Sequence, residues 1–557
     1  MNQKKIIIIF LLLLLILGVA LRLLCIHNDF SAEETDFVKS AIAIKDTGHP
    51  KFYISEQQPY ELGLWHPPMY ILSMAAVFRI FGEGESAARS INIIFSILTA
   101  VLIFLFCKKV INDKNNRMIG LISSAIFLVN YYVFSSSILI DIDMLSAFFT
   151  LLFLFSIMMN IKSGKKYFLF LAVIGLFFSI CNRYVISAAV YAAIGIYLYS
   201  KKDFKKYLKR YLFVGICSVA IFIVLWALYS IIIEPGTFFS FLTHNLQLGT
   251  EPLSNFSVFI GSFVINIAQF IRLTTLPGVI LIILAFLAAF KMKENTTKIL
   301  LIYSVVSLAL FFIIPRPAYG YPRYFLTAFP TISILIGIYL NKNLGNFSKK
   351  QTIIGILAFL SSLTLLILLN PQSTIYMSNG LIKATNLPDF CFNLLASVPL
   401  VFVCAFKKHE KKIAIIVILI ALFLSYNAFF DAKKVMYNGH IKDVGLYLKE
   451  KTSENDLIIA PKAVGYYAQR KFYINDNNKP ELDLSYSSIK DYIQKSIDNP
   501  KMDDEFFWPN GYFRGIFPPQ PSEEILKHAK YAVLYHPVEN NAPEIKISEF
   551  YIYSLNQ

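Results

Sequence analysis

Ser31-Ala32-Glu33-Glu34-Thr35-Asp36-Phe37 stands just after Ile6 to Ile26, the first long apolar run of the chain, and is followed by Trp65-His66-Pro67-Pro68-Met69-Tyr70. A run of that length is enough to cross a bilayer. The three carboxylates therefore stand at a membrane edge, where charge is costly and points to chemistry or ion handling rather than packing. Lys4-Lys5 precede the run as they would in a secretory signal. No small-residue cleavage site follows, and Leu21-Arg22-Leu23-Leu24-Cys25 is a poor lipoprotein box, so the run is expected to remain as an uncleaved anchor.

Outward from this stretch the chain stays greasy. It has 557 residues, 56% hydrophobic and 15% aromatic, the composition of an α-helical polytopic membrane protein. Its net charge of +16 invites a nucleic-acid reading until the charges are located. From Phe430 onward 16 basic residues face 18 acidic ones, so the excess lies in the preceding region, with 36 basic against 18 acidic. It falls in short loops at every second gap between apolar runs: Lys4-Lys5, Lys108-Lys109 with Arg117, Lys162/Lys165/Lys166, Lys201 to Arg210, Lys291/Lys293/Lys298, Lys342/Lys349/Lys350 and Lys407/Lys408/Lys411/Lys412. That is the positive-inside pattern, and it excludes a nucleic-acid footprint.

With those clusters in the cytoplasm, about thirteen transmembrane helices are expected, near 6–26, 86–107, 118–135, 144–161, 167–181, 184–200, 211–233, 271–290, 299–314, 323–340, 352–369, 389–406 and 412–429. The N-terminus is then cytoplasmic and the tail extracytoplasmic. Residues 1–430 form the membrane domain, with outside loops 28–86 and 234–269. Met69 to Phe81 in the first loop reads as an interfacial helix, and the second loop as a lid. Residues 431–557 read as a small α/β domain: a helix over His440 to Lys449, strands at Asp456 to Ala460, Lys471 to Ile474 and Tyr531 to Tyr535, and a helix over Ala463 to Gln469. The six cysteines all fall in or beside apolar runs, and no disulfide or metal spacing is visible. Neither a repeat nor a phosphate-loop or dinucleotide fingerprint is present.

Further ionisable residues fall at outer span ends: Arg89, the pair Asp141 and Asp143, Arg183, and Arg316 and Arg323 around Tyr319. Acids beside arginines suit a reaction in which a hydroxyl is deprotonated and a phosphate leaves. Each residue alone has a bland alternative. Glu33, Glu34 and Asp36 can form a solvated face, Asp141 and Asp143 can cap the next helix, the arginines can snorkel to headgroups, and His66 can be a turn residue. Their shared side of the membrane favours the functional reading.

The order of these pieces resembles a known superfamily. Glu33-Glu34-Thr-Asp36-Phe37 with Ala41, His66-Pro67-Pro68, then Phe81-Gly82, Glu85 and Arg89 is similar to the start of the dolichyl-phosphate-mannose–protein mannosyltransferases and their bacterial relatives, the aminoarabinose transferases of lipid A. Asp143-Met-Leu-Ser-Ala-Phe148-Phe149 resembles their second acidic motif. Asn182-Arg183-Tyr184 stands in the place of a basic element, and Pro322-Arg323-Tyr324 with Pro330 resembles a later signature. Two departures stand out: Glu33 replaces the usual aspartate, and Arg183 replaces the common lysine. The resemblance implies the GT-C fold and an inverting glycosyltransferase that uses a polyprenyl-phosphate sugar donor and an extracytoplasmic acceptor. It implies Glu33 or Glu34 as general base, with Asp143 orienting and Asp141 positioning the acceptor. Arg183, Arg323, Arg89, Arg316, His66 and Tyr319 would bind the donor phosphate. No nucleotide is required; a divalent cation is compatible with the clustered acids, but no metal ligand is assigned. Rival readings are a secondary transporter, which calls for mid-span charges and paired halves, and a non-catalytic lipid-binding assembly subunit. The sugar and the acceptor are not legible.

Overall fold

The computed structural model describes residues 3–30, 32–56, 61–63, 69–200, 205–233, 276–313, 322–344, 376–378, 381–383, 441–474, 528–534, 543–547 and 550–555, with isolated positions between 263 and 274. The helices in chain order are α1 (Gln3–Leu24), α2 (Ala32–Thr47), α3 (Met69–Phe81), α4 (Glu85–Val110), α5 (Asn116–Val129), α6 (Tyr131–Ile138), α7 (Asp143–Ser163), α8 (Tyr167–Ser200), α9 (Lys205–Ile233), α10 (Leu276–Lys291), α11 (Asn295–Ile313) and, after a 3-10 turn at Pro322–Ala328, α12 (Phe329–Leu344). Among the described residues six helices are long and apolar enough to cross a membrane, and the bent pair α5–α6 makes a seventh. This is a multi-pass membrane protein. The expected spans up to 323–340 each coincide with a described helix or part of one. Those at 352–369, 389–406 and 412–429, and almost all of the 234–269 loop, lie outside the described residues.

Helix ends follow local chemistry. In α7, Asp143 in the first turn and Lys162 in the last both complement the helix dipole. Gly164 then closes the helix at φ +72°, its N–H donating to the Asn160 carbonyl at 2.8 Å, a left-handed cap that suits glycine. Helix α7 packs on α8 at Gly175, where a Cβ would stand 2.6 Å from the Phe153 nitrogen.

The expected spans 167–181 and 184–200 form one long element with a break at Arg183 (φ −141°, ψ 73°). Ser179 and Ser187 settle its shape. Their hydroxyls are 2.6 Å apart, whereas eight residues along a continuous helix would separate them by about 12 Å. The chain doubles back at Arg183, so the two arms run as the two expected spans.

One span departs from expectation. The run at 118–135 is broken into α5 and α6, which bend by 66°. Asn130 at the elbow caps α6 by accepting the Val133 N–H (3.2 Å), and fully buried Arg22 of α1 donates to the freed Leu128 carbonyl (2.8 Å) and to Gly18 (2.6 Å). A break inside a span is tolerated where protein groups re-satisfy the backbone in this way.

The lysine-bearing helix ends meet at one end of the bundle. Lys162 Nζ donates to the Lys109 carbonyl (2.9 Å), the Asn112 N–H to Glu294 (3.3 Å), and the Tyr197 hydroxyl to Asn295 (2.8 Å). The acids lie at the opposite end, where the first loop proves to be structured: α2 carries Glu33, Glu34 and Asp36, and α3 packs against α2 through Tyr70, Ile71, Met74 and Phe78. A short antiparallel pair, β1 (Lys51–Phe52) with β2 (Glu61–Leu62), follows α2. A second pair joins β3 (Tyr376–Ser378) and β4 (Leu381–Lys383).

The tail forms α13 (Ile441–Lys451), β5 (Leu457–Ala460), α14 (Lys462–Ala468), β6 (Lys471–Ile474), β7 (Ala529–Leu534), β8 (Ile545–Ile547) and β9 (Phe550–Ser554). The sheet order is β6-β5-β7-β9-β8, with β5 parallel to both β6 and β7, and β9 antiparallel to β7 and β8. Its core is continuous with the first loop: Phe30, Phe37, Val38 and Phe52 share one buried cluster with Val444, Leu448, Val464 and Phe472.

Candidate active site

Two carboxylate–arginine pairs are built at the acidic end, and they differ in what they can do. In the first, Arg89 of α4 grips Glu34 of α2 with Nη1 and Nη2 at 2.6 and 2.9 Å. Nε donates to the Asn28 carbonyl (3.2 Å), and the remaining Nη hydrogens go to the Ile138 (2.5 Å) and Asp29 (2.7 Å) carbonyls. All five guanidinium N–H groups thus have partners inside the protein. Glu34 also accepts the Ile140 N–H at 2.9 Å, and both side chains are under 5% exposed. This pair is a latch between the first loop, α4 and the bend from Ile138 to Asp143 that joins α6 to α7. Arg89 was expected to hold the donor phosphate and Glu34 to be a candidate base; here the guanidinium donors and the clamped carboxylate are engaged inside the protein.

In the second pair, Arg183 at the α8 reversal donates from Nε and Nη2 to the two oxygens of Asp143, at 2.6 and 2.8 Å. Asp143 is 1% exposed and Arg183 15%, so the arginine is the member that solvent can approach. The bidentate fork fixes its plane. The local sequence explains the geometry. Asp143 is in the first turn of α7, where the helix dipole favours a carboxylate, and the non-helical backbone at Arg183 aims a long side chain across at it.

The Ile138–Asp143 segment joins the pairs. Asn92, one turn along α4 from Arg89, donates to the carbonyls of Leu139 (2.5 Å) and Asp141 (2.8 Å), and the Asp141 carboxylate accepts the Ile142 N–H (2.6 Å). Asp141 therefore shapes the start of α7. Tyr70 is fully buried beside this segment, its ring edge-on to Phe37 at 5.5 Å.

Of the other expected residues, Glu33 lies in the first turn of α2 and Arg323 in the 3-10 turn, with only their backbones described; His66, Arg316 and Tyr319 lie outside the described residues. Among the described residues no three His, Cys, Asp or Glu side chains converge as a metal site. Asp36 takes an ion pair from Lys462 of α14 at 2.6 Å. The sequence reading also passed over Asn92, Lys442 and Tyr467. The Lys442 backbone N–H donates to Asp29 (3.0 Å) and its Nζ to Glu85 (2.9 Å), while the Tyr467 hydroxyl accepts the Phe30 N–H (2.8 Å) and donates to Glu85 (3.0 Å). No local signal marks these two, because their partners are hundreds of residues away.

Residues 65–229 match the family model of the dolichyl-phosphate-mannose-protein mannosyltransferases. The crystal structure of ArnT from Cupriavidus metallidurans bound to undecaprenyl phosphate aligns over 94% of this chain and 92% of its own, with a TM-score of 0.59 and 13% identity. The chain has the GT-C fold, the fold of ArnT. ArnT from the same organism in its apo state aligns over the same shares, with a TM-score of 0.54 and 12% identity. No curated protein matches the chain. In this GT-C frame the family match covers both arginine pairs except Glu34, since it begins in the first loop and runs through α9.

Proposed function

We propose that the chain is a membrane glycosyltransferase that moves a sugar from a polyprenyl-phosphate donor to an acceptor in the extracytoplasmic space. The observation that carries this reading is the Asp143–Arg183 fork: a partly exposed arginine, held in one plane, at the acidic end of a GT-C fold. The lipid bound in the ArnT crystal structure supports the choice of donor class. The lysine clusters mark the cytoplasmic end by the positive-inside rule, so residues 441–555 lie outside and the protein sits in the plasma or inner membrane. Residues 1–430 serve as the transferase domain and 431–557 as the extracytoplasmic domain. Membrane-impermeant thiol reagents should reach a cysteine placed at Lys449, and not one at Lys165, in sealed cells.

In the proposed step the donor phosphate sits against Arg183; Arg323, Arg316, His66 and Tyr319 are the further residues that the sequence resemblance offers for holding it. An acceptor hydroxyl oxygen attacks the anomeric carbon from the face opposite the lipid. The bond from that carbon to the phosphate oxygen breaks as the new glycosidic bond forms, inverting the configuration. The hydroxyl proton passes to Glu33, and the polyprenyl phosphate leaves with the bonding electron pair, needing no acid. Asp143 holds Arg183 in the plane that meets the developing charge on the leaving phosphate. A phosphate acceptor would need no base, and Glu33 would then only position it.

The test uses purified full-length protein in nanodiscs with undecaprenyl-phosphate carrying labelled mannose, glucose or aminoarabinose, and an extract of envelope lipids and glycans as acceptor. Transfer is expected with one donor, falling about a thousandfold in Asp143→Asn and Arg183→Met, as when a preorganised charge-stabilising group is removed. Transfer undiminished in both variants would overturn the site, and none with any donor would overturn the function.

A further inference from the structure

Two residues that the tail plants on the first loop, Lys442 through its backbone N–H and Tyr467 through its hydroxyl, are hydrogen-bonded to the same short segment that Arg89 holds. Residues 28–30 carry both sets of contacts. The Asn28 and Asp29 carbonyls accept from Arg89, while the Asp29 carboxylate accepts the Lys442 N–H and the Phe30 N–H is taken by the Tyr467 hydroxyl. The Phe30 ring lies parallel to that of Tyr467, with centroids 6.1 Å apart, and beside the Arg89 guanidinium at 5.8 Å. Glu85, one helical turn before Arg89, receives both Tyr467 and Lys442. From Arg89 the connection continues to Glu34, from Glu34 to the Ile140 N–H, and along the backbone to Asp143 and Arg183. Hydrogen bonds carry the connection from the tail to the Ile140 N–H and the backbone carries it on to Asp143, so it is continuous from the tail to the reacting end.

We infer that Tyr467, supported by Lys442, is a positioning residue for sugar transfer: the extracytoplasmic domain sets the register of residues 28–30 and, through the Arg89–Glu34 latch, the place of the Ile138–Asp143 segment. This rests on the reading of Asp143 and Arg183 given above. Burial pushes the Tyr467 hydroxyl pKa far above its usual value, so the group stays protonated and keeps its donor role toward Glu85. Its loss is specific. A phenylalanine keeps the ring stack but leaves the Phe30 N–H buried without its acceptor, and an unsatisfied buried donor costs more than a hydrogen bond contributes net.

The experiment compares wild type, Tyr467→Phe and Lys462→Met as full-length protein in nanodiscs. Lys462→Met removes the ion pair with Asp36, a docking contact of the same domain that does not touch residues 28–30. Hydrogen exchange is followed in peptides covering 26–34 and 136–143, and steady-state transfer is measured with the undecaprenyl-phosphate sugar that wild type accepts. In Tyr467→Phe, exchange in both peptides should rise about five- to tenfold. Under the same change kcat should fall by about that factor, with the donor KM within about twofold. Lys462→Met should leave 136–143 unchanged. Unaltered exchange at 136–143 in Tyr467→Phe, or an equal rise in both variants, would overturn the inference. If wild type transfers no sugar, the functional reading fails while the exchange data still decide the coupling.

Discussion

Arg89 offers a sharp test at the residue scale, because a phosphate ligand and a structural latch respond differently to the same substitutions. Arg89→Met leaves Glu34 buried and unpaired and should lower stability by about 3–5 kcal/mol. Adding Glu34→Leu removes the stranded carboxylate and should restore most of that loss. The check is thermal denaturation of both variants in detergent, alongside the donor KM of the double variant. A latch predicts recovered stability and a near-normal donor KM; a KM raised tenfold in the stable double variant would return Arg89 to the phosphate. Single residues were also where the sequence was least legible. Glu34 and Arg89 were visible as ionisable groups at the right end of the chain, but nothing local tells a bidentate internal clamp from a substrate contact. Asp143 and Arg183 were visible through their motifs. The pairing of Asp36 was not legible, because its partner, Lys462, lies 426 positions away.

At the scale of elements, the reversal at Arg183 makes a prediction that a straight helix cannot share. Cysteines replacing Ser179 and Ser187 should form a disulfide on mild oxidation, since the hydroxyls they replace are in contact. A continuous helix would hold them about 12 Å apart and unlinked, so gel mobility with and without reductant decides the matter. The apolar runs and the lysine gaps made the spans readable, this pair included, because hydrophobic length and charge act locally. The tail elements were readable for the same reason: Leu457–Ala460 and Lys471–Ile474 are short apolar runs around a helix. The elbow between α5 and α6 was not, since its cost is met by Arg22 from another helix. Helix α2 left a signal that went unread. Ser31-Ala-Glu33-Glu34 has the spacing of a capping box, and in the structure Glu34 is drawn away to Arg89.

Over the whole molecule, the seam between tail and first loop should carry a signature in alkaline solution. Lys39 of α2 is buried there, its ammonium 5.1 Å from the centre of the Phe472 ring and 5.9 Å from that of Tyr53. Burial brings its pKa down to about 8; neighbouring Asp36 opposes the shift and Lys462 adds to it. Because the folded value lies below that of a free lysine, about 10.4, the unfolded chain holds a proton between about pH 8 and 10 that the folded one lacks, and stability rises with pH through that window. Below about pH 8 both states are protonated and the contribution is flat. The melting temperature of wild type should therefore climb from pH 8 to 10 relative to Lys39→Met; parallel curves would show that Lys39 is not the group responsible. The contact between Phe30 and Tyr467 has a consequence in time as well as in space. The two residues are 437 positions apart, so a ribosome making this chain has released Phe30 and most of the membrane helices long before it supplies the tyrosine. A nascent or prematurely ended chain would leave the Phe30 N–H without its Tyr467 acceptor, and on the proposed reading sugar transfer would begin only once synthesis had passed that residue.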